Sequence, residues 1–92
     1  MDKIKIEKCG YFYKKIQFCG HTEKMHKCDN FFITIDNVLI NAIANNEDGL
    51  YFNILSIKKN NIRYTNFRYH KKYMCTVRDA IFNYYNYDKN FK

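Results

Sequence analysis

Two short pairs of zinc-type ligands lie close together near the N-terminal end of this chain. Cys19-x-His21 and His26-x-Cys28 mirror each other, and tetrahedral zinc prefers cysteine and histidine ligands. The loop between them could fold its two ends onto one ion, and Cys9 could replace one of the histidines. Small domains often use a metal to supplement a modest core. The sequence therefore offers a candidate structural zinc site, although its ligand spacing is shorter than the usual one.

The four cysteines allow other interpretations. An even number could form two disulfides, which is typical of secreted chains, and nothing in the sequence indicates secretion. We expect reduced thiols, with Cys9, Cys19 and Cys75 acting as small buried apolar side chains. Cys75 could also be an activated thiol near His70 at the start of a helix. That spacing arises by chance in a chain with four Cys and three His, so it is weak support for catalysis.

Residues for other common catalytic chemistry are sparse. A metal-dependent nuclease needs clustered carboxylates, and the only acidic concentration is Asp36, Glu47 and Asp48. The last two resemble loop residues before Gly49. No glycine-rich phosphate loop is present. We therefore expect a binding protein that is not an enzyme and has no cofactor beyond the candidate zinc ion.

The strongest feature of the sequence is a cationic and aromatic stretch at residues 58–73, which we call the strip. The chain has a formal net charge of +7, and the strip contributes six cations and no acid. Lys and Arg attract phosphates, and bases stack on aromatic faces, so this mixture is typical of single-stranded nucleic-acid binding. The candidate binding residues are Lys58, Lys59, Arg63, Tyr64, Phe67, Arg68, Tyr69, Lys71, Lys72 and Tyr73.

The strip leaves three interpretations open. In the first, its cations contact phosphates while Tyr64, Phe67 and Tyr69 stack on bases. In the second, the strip docks on an acidic or nucleic-acid-binding host protein, and the chain inhibits a host defence or nucleic-acid-processing enzyme in the manner of an anti-CRISPR antagonist. In the third, the strip is a solvated segment whose lysines maintain solubility.

Length and composition bound the class of protein. The 92 residues provide room for one small domain, and 47% apolar with 18% aromatic residues exclude a disordered tail. Phe, Tyr, Ile, Asn and Lys dominate, and their A/T-rich codons indicate an AT-rich genome. Such small reading frames are common in viruses, phages and mobile elements, and AT-rich bacteria encode them too. No secretory signal and no bilayer-spanning apolar run is visible. We expect a cytoplasmic protein with no membrane partner.

Hydrophobic periodicity predicts an α+β fold, with a mostly antiparallel β-sheet built from hairpins and one C-terminal α-helix packed on a face. Turns are expected at Cys9-Gly10, Asp36-Asn37 and Lys58–Asn61, and a loop at Cys19–Asn30. A helix capped by Asp36 is the alternative to the fourth strand. The predicted strands are Lys3–Lys8, Tyr11–Phe18, Phe31–Ile35, Val38–Ile43, Leu50–Ile57 and Ile62–Tyr69.

The last predicted element is a helix over Val77–Tyr87. Thr76 and Asp79 form a capping-box pattern at its start. Strand Lys3–Lys8 would lie exposed at a sheet edge, where it could pair across a homodimer. Four residues with helical spacing are expected to face the sheet, namely Val77, Ile81, Tyr84 and Tyr85.

Overall fold

A computed structural model describes residues 3–16, 24–47, 49–65 and 67–90, with the side chains of residues 16, 67 and 87–90 excepted. Five strands and one helix form an antiparallel sheet with a C-terminal helix, which confirms the predicted α+β class. The elements are β1 (Ile4–Ile16), β2 (Lys24–Ile35), β3 (Val38–Asn45), β4 (Tyr51–Lys59), β5 (Ile62–Tyr64) and α1 (Phe67–Asn90).

The sheet is an antiparallel meander with the strand order β1-β2-β3-β4-β5. A two-residue turn at Asp36-Asn37 joins β2 to β3, so a strand and not a helix follows Asp36. Asn60 and Asn61 join β4 to β5 with φ angles of 53° and 65°. Asparagine tolerates this left-handed conformation better than most residues. Both turns lie where the sequence predicts them.

One face of the sheet packs against α1. Alternate residues of β2 and β3, such as Phe31, Ile33 and Ile40, are fully buried there, as are Val77 and Ile81 of α1. Edge-to-face contacts with Phe31 add the rings of Tyr84 and Tyr85 to this core. The four helix residues predicted to face the sheet therefore do so.

The N-terminal hairpin predicted from the sequence is wrong. β1 runs through Cys9-Gly10 without turning and pairs with β2 along its length. The register shifts between Lys8 and Tyr11, so this dipeptide forms a bulge. Gly10 has a φ of 93°, which a residue without Cβ adopts without strain. The loop predicted at Cys19–Asn30 is also wrong from Lys24 onward, where β2 begins.

The helix begins earlier than predicted, at Phe67 instead of Val77. Thr76 therefore lies inside α1 and does not cap it, so the predicted capping box is wrong. The predicted strand Ile62–Tyr69 correspondingly ends at Tyr64. The cause is a longer apolar stripe than expected, because Tyr69 and Tyr73 precede Val77 at four-residue spacing and pack on the same core.

Candidate nucleic-acid interface

The strip is divided between two elements of the fold. Three of its cations belong to the β4–β5 hairpin and three to the first turns of α1. Neighbouring strand residues point to opposite sheet faces, so Lys58 and Lys59 do not share a surface. The strip is therefore not one flat patch. The hairpin cations are Lys58, Lys59 and Arg63, and the helix cations are Arg68, Lys71 and Lys72.

Lys58 and Arg63 lie directly opposite each other across the β4–β5 ladder. Their neighbour Ile57 points into the core, so both cations lie on the sheet face away from α1. Like charges at such positions destabilise a sheet. Within the described ranges, no carboxylate forms a salt bridge with either side chain. The tight turn at Asn60 and Asn61 thus holds two positive charges side by side.

The tyrosines of the strip contact one another, and Tyr69 and Tyr73 also pack against the core. The rings of Tyr64 and Tyr69 are stacked, with centroids 4.4 Å apart and planes at 16°. Tyr73 meets Tyr69 edge-to-face at 5.4 Å. The stack occupies one face of Tyr64 and one face of Tyr69, which reduces the ring surface that a base could use. Stacking by these two residues stays a prediction, and the side chain of Phe67 lies outside the described residues.

These rings fasten the start of α1 to β5. Nε2 of His70 donates a hydrogen bond to the carbonyl oxygen of Tyr64 at 3.2 Å. The ammonium of Lys72 lies 5.9 Å from the ring centroid of Tyr69 and 5.6 Å from that of Tyr73, within cation–π range. The first turn of α1 contains no acidic residue. The positive end of the helix dipole therefore adds to the field of the strip cations.

A second cationic and aromatic region lies in the two longest strands. The register of β2 with β3 ends at Asp29, while its register with β1 continues to Lys24. Residues Tyr11–Ile16 and Lys24–Asp29 therefore form a largely two-stranded extension of the sheet, which we call the arm. The arm lies at the corner of the sheet diagonally opposite the β4–β5 turn.

One side of the arm presents rings and cations to solvent. Tyr11 and Tyr13 have exposed fractions of 55% and 60%, and Met25 has one of 57%. The rings of Tyr11 and Tyr13 meet edge-to-face at 6.0 Å. The ammonium of Lys27 lies 4.2 Å from the ring centroid of Tyr11. We call this surface the platform, and its residues are Tyr11, Tyr13, Lys15, Met25 and Lys27.

The other side of the arm is attached to the sheet. Cys28 and Ile43 are fully buried there beneath Tyr51 of β4. The ammonium of Lys14 donates a hydrogen bond to the hydroxyl of Tyr51 at 3.4 Å. Burial raises the pKa of the Cys28 thiol above its ordinary value. This small cluster holds the arm in a fixed position relative to β4.

The predicted zinc site is only partly visible. Cys19 and His21 lie outside the described residues. His26 and Cys28 share one side of β2, as their spacing predicts, and Nδ1 of His26 lies 3.3 Å from a carboxylate oxygen of Glu47. In the described part of the chain, no three His, Cys, Asp or Glu side chains are grouped so as to hold a metal. The zinc site stays a prediction.

The cysteines differ from expectation. Cys9, Cys28 and Cys75 are free thiols. Cys9 and Cys75 are exposed, so their predicted burial is wrong, because Cys9 lies in the bulge of an edge strand and Cys75 on the outer face of α1. Cys75 also lies well inside α1, which begins at Phe67, so it does not occupy the helix N-terminus. The activated-thiol interpretation therefore loses its structural basis.

No family model, no curated protein and no solved structure matches this chain. Among the described residues, no helix combines the length and the apolar character needed to cross a membrane. The function proposed below rests on the geometry of this chain alone.

Sequence reasoning misses the platform because it places a turn and a loop in this region. A usable signal was present in the alternation of Tyr11, Tyr13 and Lys15, which puts all three on one side of a strand. Its partner, Met25-x-Lys27, has the same period. The pairing of these two segments can be predicted only if a strand is assigned from Lys24 onward. The polar residues of that segment favour a loop instead.

Proposed function

We propose that this protein is a small, non-enzymatic nucleic-acid-binding protein that contacts phosphates through the cations of the strip. The observation that carries the proposal is the like-charged pair of Lys58 and Arg63 on the sheet face away from α1. Repulsion between these residues costs folding free energy, and a phosphate placed between them would relieve it. This like-charged pair supports the proposal of a bound polyanion at this position.

The start of α1 provides the second contact region. Lys71 and Lys72 are exposed there, and the N-terminus of α1, whose first turn contains no acidic residue, adds partial positive charge. The stacked rings of Tyr64 and Tyr69 connect this region to the hairpin that holds Arg63. In this proposal the tyrosines of the strip position the cations, and the cations provide the affinity.

The test is the salt dependence of binding, measured by fluorescence anisotropy with labelled single-stranded and duplex DNA. Each phosphate contact contributes a slope of about 0.7 for single strands and about 0.9 for duplex in a plot of log affinity against log salt. The variant Lys58→Gln/Arg63→Gln should therefore lower the slope by about 1.4 for single strands. The affinity at low salt should fall with it.

A charge-matched control separates a site from a general field. Lys3→Gln/Arg78→Gln removes the same two charges from exposed positions outside the strip. The proposal expects this control to keep the wild-type slope. If both double variants lose affinity and slope equally, the binding is diffuse and the strip is not the site. Wild-type protein that binds neither DNA at about 50 mM salt would refute the proposed function.

A further inference from the structure

We propose that the platform on the arm binds the bases of single-stranded nucleic acid, with Tyr11 and Tyr13 as the stacking rings. This inference rests on the proposed function for the class of ligand, but it assigns the bases to different residues. The strip then holds phosphates at one corner of the sheet, where Lys58 and Arg63 lie on the face away from α1. The platform holds bases at the opposite corner, on the face that α1 packs against, because Asp29, opposite Tyr11, accepts a hydrogen bond from Tyr85 of α1. The rings expected from the sequence to stack, Tyr64 and Tyr69, already stack on each other.

The exposure of the two rings is the first argument. More than half of each side chain of Tyr11 and Tyr13 reaches solvent. Residues two apart on a strand point to the same side and are separated by about 6.6 Å along it, so the rings form a row. Aromatic side chains are usually placed where they bury area, and two adjacent tyrosines left in water favour a binding surface.

The charges around the rings are the second argument. Lys27 lies opposite Tyr13 in the register, and Lys15 continues the row of Tyr11 and Tyr13. The carboxylate opposite Tyr11 is Asp29, which is compensated by the ammonium of Lys8 at 3.4 Å and by the hydroxyl of Tyr85 at 2.7 Å. The platform therefore combines ring faces with a net positive charge, as a strand of bases and phosphates requires.

The residue types of the platform favour single-stranded nucleic acid over a protein or a duplex as its partner. Tyrosine and methionine are common in protein interfaces, but lysine is depleted there, and the platform contains Lys15 and Lys27 beside its rings. A duplex keeps its bases stacked inside, so it would meet only the lysines. Unstacked bases use the rings and the lysines together. Single-stranded nucleic acid is accordingly the ligand that uses both the rings and the lysines of the platform.

Affinity measurements on ring variants test the inference. Tyr11→Ala and Tyr13→Ala should each weaken binding of an oligothymidine of about 15 nucleotides by about 5- to 150-fold, the loss that corresponds to one stacked base. Binding of a duplex of equal length should change by less than about 2-fold, because its bases are not available. Phe82→Ala removes an aromatic ring of α1 that is 51% exposed and lies outside the platform and the strip, and it should change neither affinity.

A second experiment locates the bases directly. Oligothymidine substituted with 4-thiothymidine forms zero-length crosslinks under long-wavelength light, and the modified peptides can be identified by mass spectrometry. We expect crosslinks at Tyr11 or Tyr13. Far-ultraviolet circular dichroism checks that each variant is folded, and Tyr11→Leu/Tyr13→Leu retains apolar side chains while removing both rings. This variant should show the loss of the alanine variants.

The outcomes separate the two proposals. Wild-type affinity for oligothymidine in the folded leucine variant, or crosslinks confined to the strip, would overturn the platform and leave the function of the strip intact. Loss of oligothymidine binding in the ring variants, with duplex binding retained, would support the platform. Wild-type protein that binds no nucleic acid would overturn both proposals.

Discussion

Removing the positive charge of Arg63 should stabilise the folded protein while weakening its binding to nucleic acid. Arg63 and Lys58 face each other across the ladder, and no carboxylate of the described residues forms a salt bridge with either. Arg63→Gln and Lys58→Gln should therefore each raise the free energy of unfolding. The double variant should gain little beyond a single one, because the repulsion is already gone after the first substitution.

The magnitude follows from the geometry. Opposed side chains in an antiparallel ladder have Cβ atoms about 5 Å apart, and long side chains let the charges separate to about 6–8 Å. Coulomb's law in a water-like dielectric then gives about 0.5–0.7 kcal/mol of repulsion. Each single variant should gain about this amount, which corresponds to a rise in Tm of roughly 2–6 °C in a domain of this size.

Urea denaturation followed by circular dichroism measures this in a double-mutant cycle. The cycle should be run at about 20 mM salt, where the Debye length exceeds 20 Å, and repeated at about 1 M, where it is near 3 Å. The coupling between the two residues should be present at low salt and absent at high salt. A coupling of zero at low salt, or one that salt does not change, would show that the two charges do not interact and would remove the main support for the proposed function.

Three further predictions concern the fold that holds the site. Tyr85→Phe removes a hydrogen bond to the Asp29 carboxylate and should lower the free energy of unfolding by about 1.5–3 kcal/mol, measured by urea titration. The control Tyr84→Phe should lower this free energy much less. Equal effects of the two substitutions would contradict the hydrogen bond assigned to Tyr85. Gly10→Ala places a Cβ on a residue with a φ of 93°, and no neighbouring atom lies within 4 Å of that Cβ. The free energy of unfolding should therefore fall by about 1–2 kcal/mol in the same assay, through backbone strain and not through a clash. An unchanged stability would contradict the bulge geometry. Burial raises the pKa of the Cys28 thiol, so at alkaline pH the folded state keeps a proton that the unfolded state releases. The free energy of unfolding should therefore fall as pH rises above about 9, by up to about 1.4 kcal/mol per pH unit. In Cys28→Ala, the plot of stability against pH should lack this component.

Turns and strands that depend on the backbone preferences of their own residues can be predicted from the sequence. The Asp36-Asn37 and Asn60-Asn61 turns follow from the tolerance of these residues for positive φ, and the strand before the first turn follows from its β-branched and aromatic residues. The start of α1 could not be predicted in this way. Tyr69 and Tyr73 have strand propensity, and only their packing on the core completes a helical stripe with Val77.

The candidate site depends even more on long-range pairing. The charge of the strip is a property of composition, so the sequence reveals it, but the orientation of Lys58 and Arg63 depends on the register between β4 and β5. The platform depends on β1 continuing past Gly10 and on a polar segment joining it as β2. Glycine in a strand is compatible with either a turn or a bulge, and only the partner strand decides between them.

The bulge at Cys9-Gly10 also governs how far copies of this protein could join edge to edge. β1 is an outer strand of 13 residues, long enough to act as a template for another chain. The spacing of its backbone N–H and C=O groups changes at the bulge. A regular partner strand can therefore pair with the segment before the bulge or with the segment after it, but not with both. Pairing between two β1 edges would therefore extend over only one of these two segments.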